Sequence, residues 1–280
     1  MTTQSNRVGV VGVGYLGAIH ARIYAAMPGV ELMGVTDIDP YAATRVAEEC
    51  GCSAYNEPEA LLDKVDAVSI VVPTSSHRVV AEPYLRNGMH VLLEKPIADH
   101  LTNARAIVKA AEKTGVILQI GHLERFNAGV VRLVQELDRP RFIEVHRLGP
   151  FVSRAADVDV VTDLMIHDID IVLSLVTAEL TYVSAVGARV VSAHVDIANA
   201  RLEFADGTIA NVTASRVSSR KFRRIRVFGE ACYLGLDFVN QQVEVSRRTP
   251  PLKESGVAGI KAESIEVDRR PPLAAEVEHV

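Results

Sequence analysis

Between residue 7 and about residue 120, short β-branched runs alternate with helical stretches of roughly 10 to 15 residues, the pattern of parallel strands joined by crossover helices. The strand candidates are RVGVVG (7–12), VELMGVTD (30–37), AVSIVV (67–72), HVLLE (90–94) and VILQI (116–120), with a weaker one at SAY (53–55). Helices are expected near 15–27, 40–50, 76–87 and 103–114, the last with Thr102 as N-cap and Gly115 as its stop. Beyond Gly121 the pattern changes. A helix at 127–138, the strand RFIEVHRL and a helix around 161–176 lead into five strands in direct succession, ending with ACYLGLD at 231–237. Such succession favours antiparallel pairing. The charged, proline-containing segment 247–272 reads as a surface excursion, and PPLAAEVEHV begins like a helix.

The 280 residues, 48% of them hydrophobic, suffice for two ordinary domains with real cores. No apolar run reaches the roughly 18 to 20 residues of a membrane span, and the polar start MTTQSNR lacks the pattern of a signal peptide, so a soluble cytoplasmic protein is expected. Cys50, Cys52 and Cys232 are too few for a disulfide framework or a structural zinc site and read as reduced thiols. A net charge of −5 argues against nucleic acid or membrane as partner. Locally, SRVSSRKFRR and the arginine after it place Arg216, Arg220, Lys221, Arg223, Arg224 and Arg226 close together, as a solvated strand face or an anion-binding patch.

The GVGYLG loop, with Gly12, Gly14 and Gly17, follows a strand and opens a helix, and Asp37 stands at the end of the second strand. In that context each residue has a task in holding a dinucleotide. Gly12 permits the turn, Gly14 lets the backbone approach a pyrophosphate, and Gly17 lets helix and strand pack closely. Tyr15 and Leu16 sit in the first helical turn, whose N–H groups face the phosphates. Asp37 suits the ribose hydroxyls. With DIDP offering no arginine for an extra phosphate, NAD is expected over NADP. The chain therefore reads as α/β: a doubly wound Rossmann domain at 1–121, then an α+β domain on a mostly antiparallel sheet at 122–280.

HVLLEKPIA places Glu94, Lys95 and Pro96 at the carboxyl end of a parallel strand, where open α/β sheets bind ligands. Pro96 restricts Lys95 to extended conformations, which aims it. In VVTDLMIHDID, the residues Asp163, His167 and Asp170 are spaced to share one helix face. That stripe suits a solvated face, a divalent metal or an active site.

The strand-end EKP, the upstream VVPTSSH and the glycine loop together resemble the family of glucose-fructose oxidoreductase and inositol dehydrogenase, two-domain sugar dehydrogenases, over nearly the whole chain. The resemblance implies a catalytic trio of Lys95, Asp163 and His167 with no metal. It puts Pro73, Thr74, His77 and Glu94, along with Lys95, beside the cofactor. Oxidising a secondary alcohol needs a base of near-neutral pKa, which suits His167, with Lys95 as donor and relay and Asp163 as orienter. The roles of His167 and Lys95 are exchangeable, and His122 and His146 stand in reserve as bases. Two departures stand out. Val160 and Val161 replace glycines common before the Asp-x-x-x-His pair, and final helices of the relatives are missing, as in a chain truncated at its C-terminus.

QIGHLERFNAG offers His122, Arg125 and Asn127 as substrate contacts, joined by Arg154, Asp163 and His167. The run looks most like the branch that oxidises nucleotide-linked amino sugars, including UDP-N-acetylglucosamine, for lipid A assembly. Two phosphates need cations, and Arg125, Arg147, Arg154 and the 216–226 cluster are candidates. Inositol or a free aldose is the alternative substrate, and a non-catalytic sugar sensor the alternative of another class. An exposed apolar face on the second sheet is expected to be covered in a homodimer or homotetramer.

Overall fold

The computed structural model describes residues 5–152, 158–251, 258–267 and 270–279. The chain divides into two compact units, Met1–His122 with Leu273–Val280, and Leu123–Pro272.

The first unit is built on six parallel strands: β1 (Asn6–Val11), β2 (Val30–Thr36), β3 (Ser53–Tyr55), β4 (Ala67–Ile70), β5 (His90–Glu94) and β6 (Leu118–Gly121). Their order is β3-β2-β1-β4-β5-β6, so the crossovers leave β1 in opposite directions. The intervening helices are α1 (Tyr15–Ala26), α2 (Pro40–Cys50), α3 (His77–Arg86) and α4 (Leu101–Thr114). Strand side chains alternate between faces, and both faces are buried. Val8, Val10 and Val35 pack with Ala18, Tyr24 and Val46, whereas Val11, Ile70 and Leu93 pack with Leu61, Tyr84 and Ile107.

Local chemistry sets the helix ends. Asp39 caps α2 by accepting from Tyr41 N at 3.0 Å, Pro40 supplies the first residue, and Gly51 closes the helix in the left-handed conformation. Gly115 closes α4 the same way, as expected. The start of α4 differs from the expectation. It begins at Leu101 with His100 in the cap position, and Thr102 falls inside the first turn, where Asn103 bridges back to Asp99 at 2.8 Å.

The second unit contains α5 (Ala128–Glu136), β7 (Pro140–Leu148), a π-helical turn (Val161–Met165) running into α6 (Ile166–Leu175), then β8 (Leu180–Ala188), β9 (Ile197–Phe204), β10 (Ile209–Ser215), β11 (Phe222–Gly229), β12 (Cys232–Asp237), β13 (Gln242–Pro251) and β14 (Ala258–Glu266). The eight strands run β14-β13-β12-β11-β7-β10-β9-β8, antiparallel except where β7 lies parallel to β10. Two strands correct the sequence reading, because β13 and β14 lie where a surface excursion was expected. Val243 and Val245 of β13 are buried with Glu244 between them, but Arg247 and Arg248 follow and break the apolar alternation.

The end of the chain is a second correction. Helix α7 (Pro272–Val277) is grouped with the first unit, because Leu273 and Val277 pack into the core around Val8, Val10 and Tyr24. The second sheet's open face is also less apolar than expected. It carries Arg226 paired to Glu144, Arg224 to Glu244 at 3.1 Å, and a Phe142, Phe228, Tyr233 aromatic row. No helix among the described residues is long and apolar enough to cross a membrane.

The other face buries charge. The Asp196 carboxylate accepts from the backbone N–H groups of Val190, Val191 and Ser192 at 2.7 to 3.0 Å, and from Ser192 Oγ and Arg216 Nε at 2.7 and 2.8 Å. Burial pushes its pKa up, but these donors outweigh burial and hold it well below the usual carboxylate range. A depressed folded-state pKa means stability that is present above the unfolded value and lost as pH falls toward the folded one. Asp196→Asn is expected to lower the melting temperature by an amount that is constant from about pH 7 to 5 and shrinks below about pH 4, the unfolded carboxylate pKa. Thermal melts across that range check it, and a gap unchanged down to about pH 2 would contradict the assignment.

Candidate active site

The carboxyl ends of β1, β2 and β4 open into a cleft of about 530 Å³, within the size of a cofactor site, lined by residues that include Gly12, Gly14, Asp37, Ile38, Pro73 and Ser76. The cleft lies where the crossovers diverge, at the switch point of the sheet. The loop's glycines differ in purpose. Gly12 has φ +85°, and a Cβ there would lie 2.5 Å from the Val71 carbonyl oxygen. A Cβ on Gly17 would lie 1.8 Å from the carbonyl oxygen of Gly12, so helix and loop touch backbone to backbone. A Cβ on Gly14 would meet nothing within 4 Å, which leaves space for a ligand rather than for the fold.

Gly14 is also the N-cap of α1, with no side-chain cap and no acidic residue in the first turn. The N–H groups around Tyr15, Leu16 and Gly17 therefore face no competing side-chain anion and suit a pyrophosphate. Asp37 Oδ2 accepts from Val13 N at 2.7 Å and Oδ1 from Asp39 N at 2.9 Å. These bonds tie the glycine loop to the end of β2 and fix the carboxylate, and each oxygen keeps a lone pair for a ribose hydroxyl. The residues present fit a dinucleotide. Ile38, fully exposed beside Asp37, and Asn56, Glu57 and Pro58 also line the cleft and were not singled out from the sequence. The position of Ile38 directly after Asp37, in the turn that follows the second strand, was the available signal for that residue.

Other residues expected at the cofactor have different surroundings. Of Pro73, Thr74 and His77, Pro73 lines the cleft and Thr74 opens a short 3₁₀ turn. His77 is buried, with its ring nitrogens 3.3 Å from the Ile97 and 3.0 Å from the Val72 carbonyl oxygens, so it ties two loops together. Glu94 turns inward. Its Oε1 lies 3.5 Å from Nε2 of the fully buried His20, whose Nδ1 meets Ser69 Oγ at 2.7 Å, and its Oε2 accepts from Lys95 N at 3.2 Å. Glu94 thus stands behind Lys95. Lys95 itself is half-buried at the carboxyl end of β5, joined to Pro96 by a cis peptide bond.

In the second unit, Asp163 lies in the π-helical turn and His167 in the first turn of α6, both half-buried. Asp159 starts this segment by accepting from Thr162 N at 2.8 Å. Asp170 does not extend the stripe as a free group, because Arg125 grips it with two bonds of 2.6 Å. That pairing raises the Arg125 pKa and removes Asp170 from any metal set with Asp163 and His167. Among the described residues, no three histidines, cysteines or acids are grouped to hold a metal. Asn127, expected at the substrate, is a buried N-cap of α5, accepting from Gly129 N at 3.0 Å. His122 is half-buried after the end of β6, and Arg154 lies outside the described residues. His146, a reserve base, faces the open side of the sheet with its ring 6.1 Å from Phe222, opposite to the face of Arg147.

Arg147 is buried and bound to both oxygens of Asp168 at 2.7 to 3.0 Å and to Glu124 Oε1 at 3.0 Å. Burial lowers its pKa, and the two carboxylates more than reverse that, so the guanidinium stays charged. The basic cluster is accordingly divided. Arg216 is spent on Asp196 and on the Val158 carbonyl oxygen at 2.7 Å, and Arg224 and Arg226 on the open-face glutamates.

Comparison with known proteins gives the family of the chain. The family model described as "Oxidoreductase family, NAD-binding Rossmann fold" matches residues 6–122, and that of the GFO/IDH/MocA C-terminal domain matches residues 129–234. UDP-N-acetylglucosamine 3-dehydrogenase of Acidithiobacillus ferrooxidans is 41% identical over 276 residues, covering 97% of this chain and 86% of that protein. A solved structure of that enzyme superposes with a TM-score of 0.90, covering 98% of this chain and 87% of that one. The scyllo-inositol 2-dehydrogenase (NAD(+)) of Bacillus subtilis is 32% identical, covering 76% of this chain and 68% of its own. With both family domains matched in order along its length, the chain belongs to the GFO/IDH/MocA family of oxidoreductases, with an NAD-binding Rossmann fold as its first domain.

Proposed function

We propose that the protein oxidises a secondary hydroxyl of a nucleotide-linked amino sugar, the 3-hydroxyl of UDP-N-acetylglucosamine, with NAD as electron acceptor. The observation that carries this reading is 41% identity along 97% of the chain to an enzyme named for that reaction. The first unit would hold NAD through Gly12, Gly14, the N-terminus of α1 and Asp37. NAD supplies the acceptor for the hydride that leaves the carbinol carbon. Lys95, Asp163 and His167 would handle the proton. As the C–H bond breaks with its electron pair, the O–H bond must give up its proton, and a base is required. His167 Nδ1 is buried, so Nε2 is the nitrogen assigned to take that proton. The Lys95 ammonium donates a hydrogen bond to the developing alkoxide, and Asp163 orients the imidazole.

The product would be a 3-keto sugar nucleotide, a precursor suited to amination in lipid A assembly, and the reaction would run in the cytoplasm. Two or four copies would associate through the open face of the second sheet, where ion pairs and the Phe142, Phe228, Tyr233 row form a mixed polar and aromatic surface.

The assay is formation of reduced cofactor with NAD and a panel of UDP-N-acetylglucosamine, free N-acetylglucosamine, inositols and aldoses. Oxidation of free sugars alone would overturn the nucleotide-sugar reading, and no oxidation of any sugar would favour a sensor. Lys95→Met or His167→Ala is expected to lower turnover by about 10²- to 10⁴-fold. NAD affinity, read by fluorescence titration, should stay nearly intact, and near-normal turnover in either variant would remove that residue from the mechanism. Asp37→Ala is expected to weaken NAD by roughly 1.5 to 3 kcal/mol through loss of charged hydrogen bonds. NADP should weaken much less, because the same change removes the repulsion of its extra phosphate. Equal losses in parallel titrations of the two cofactors would contradict the ribose assignment.

A further inference from the structure

A second cavity lies wholly within the second unit, on the helix-covered face of its sheet, where Arg147, Gly149, Asp163, Arg216, Lys221 and Arg223 contribute to its lining. Its four basic side chains are not equivalent. Arg147 is neutralised by Asp168 and Glu124, and Arg216 by Asp196. Lys221 and Arg223 have no ion pair or side-chain hydrogen bond among the described residues, although Arg223 is half-buried.

The position of Arg223 is costly to the fold. In the register of β7 and β11 it stands directly opposite Arg147, on the same covered face as Ile225 and Val227, which are fully buried. Like charges facing each other across adjacent strands destabilise a sheet, an effect that Asp168 and Glu124 around Arg147 offset only in part, and burying part of a guanidinium adds a desolvation cost. Burial, and then the charge of Arg147, lower the Arg223 pKa from its usual value. An apolar side chain like those of its neighbours would satisfy the strand better. A group that breaks the local pattern and points its donors into a cavity is explained when a ligand supplies the acceptors.

We infer that Lys221 and Arg223 form the diphosphate subsite for a nucleoside-diphosphate-linked substrate. Arg223 brings a planar fork of donors that matches phosphate oxygens, and Lys221, exposed at the rim, brings a mobile point charge. Backbone at Gly149 leaves open space beside them, since a Cβ there would meet nothing within 4 Å. Asp163 lines the same cavity, so an anion held on Lys221 and Arg223 presents whatever it carries to a carboxylate assigned to the reaction. A hydroxyl-rich sugar joined to phosphate fits that pairing of charges. The inference rests on the nucleotide-sugar reading and assigns its phosphates to two of the six basic residues in the 216–226 cluster.

The test is calorimetric titration of UDP, uridine and inorganic pyrophosphate into the wild type, Lys221→Gln, Arg223→Gln and Arg223→Lys, each checked by thermal melting. Wild type should bind UDP more tightly than uridine, with affinity falling as salt rises. Each glutamine variant should weaken UDP by about 10- to 100-fold, the loss of one charged hydrogen-bonding partner, and leave uridine unchanged. Arg223→Lys should recover part of the loss, and Lys221→Gln, at an exposed site, carries the test if Arg223→Gln does not fold. Steady-state assays should show the Michaelis constant for UDP-N-acetylglucosamine rising with little change in turnover. UDP affinity unchanged in both glutamine variants would overturn the subsite, as would weakened NAD in place of weakened UDP, which would assign the cations to the cofactor's own pyrophosphate. The two readings fail separately. If wild type oxidises UDP-N-acetylglucosamine and the variants match it, the subsite falls and the function stands. If wild type oxidises only free sugars, the function falls and the subsite falls with it.

Discussion

Six strands that all run the same way must gather their carboxyl ends along one edge of the sheet, and most of the first unit's chemistry follows from that polarity. The loops leaving β1, β2, β4 and β5 carry Gly12 to Gly17, Asp37, Pro73 and Lys95 in turn. At β1 the direction of crossover reverses, and the cleft opens where the helices part. The backbone then sets the detail. Gly17 is in contact with the loop it follows, Gly14 leaves room, and the Asp37 carboxylate holds the loop through Val13 N while keeping capacity for a sugar hydroxyl. The buried series of Ser69, His20 and Glu94 reaches the backbone of Lys95 from behind, so the lysine is backed by the interior of the domain rather than by a surface loop.

The second unit meets a different problem, a sheet whose covered face contains arginines. Arg147 and Arg216 are each satisfied within the unit, by carboxylates that come from other elements. Arg147 ties β7 to α6 through Asp168 and to the segment before α5 through Glu124. Arg216 ties the end of β10 to Asp196, Ser192 and Val158. Isolated buried charges at these sites would cost several kcal/mol each, so the pairs specify which segments meet more than they add stability. The π-helical turn at Val161–Met165 lies in the region these pairs brace, and irregular turns of this kind are frequent at functional sites. Arg223, facing Arg147 with no ion pair or side-chain hydrogen bond among the described residues, is the exception that the fold alone does not explain.

The sequence by itself determined the elements whose signals are local. Alternating apolar runs located the parallel strands to within a few residues, Gly115 marked the end of α4, and the glycine loop with Asp37 announced a dinucleotide cleft. Each signal is a property of neighbouring residues: a backbone angle, a missing Cβ, or a short unbroken apolar run. The same local reading misjudged β13 and β14, because a strand in which arginine and glutamate follow and separate the valines resembles a loop until Val243 and Val245 are seen to be buried between β12 and β14. Only the tertiary structure decided which polar residues are free to act. Asn127 became a helix cap, His77 a tie between loops, Glu94 a support behind Lys95 and Asp170 the counter-ion of Arg125. Ion pairing likewise separated Arg147 and Arg216 from Lys221 and Arg223 within one cavity lining. Asp170 lies 45 residues from Arg125, and Asp196 lies 20 from Arg216. A hydrogen bond acts over about 3 Å of space, whatever the separation along the chain, so its partners are settled only when the fold brings them together.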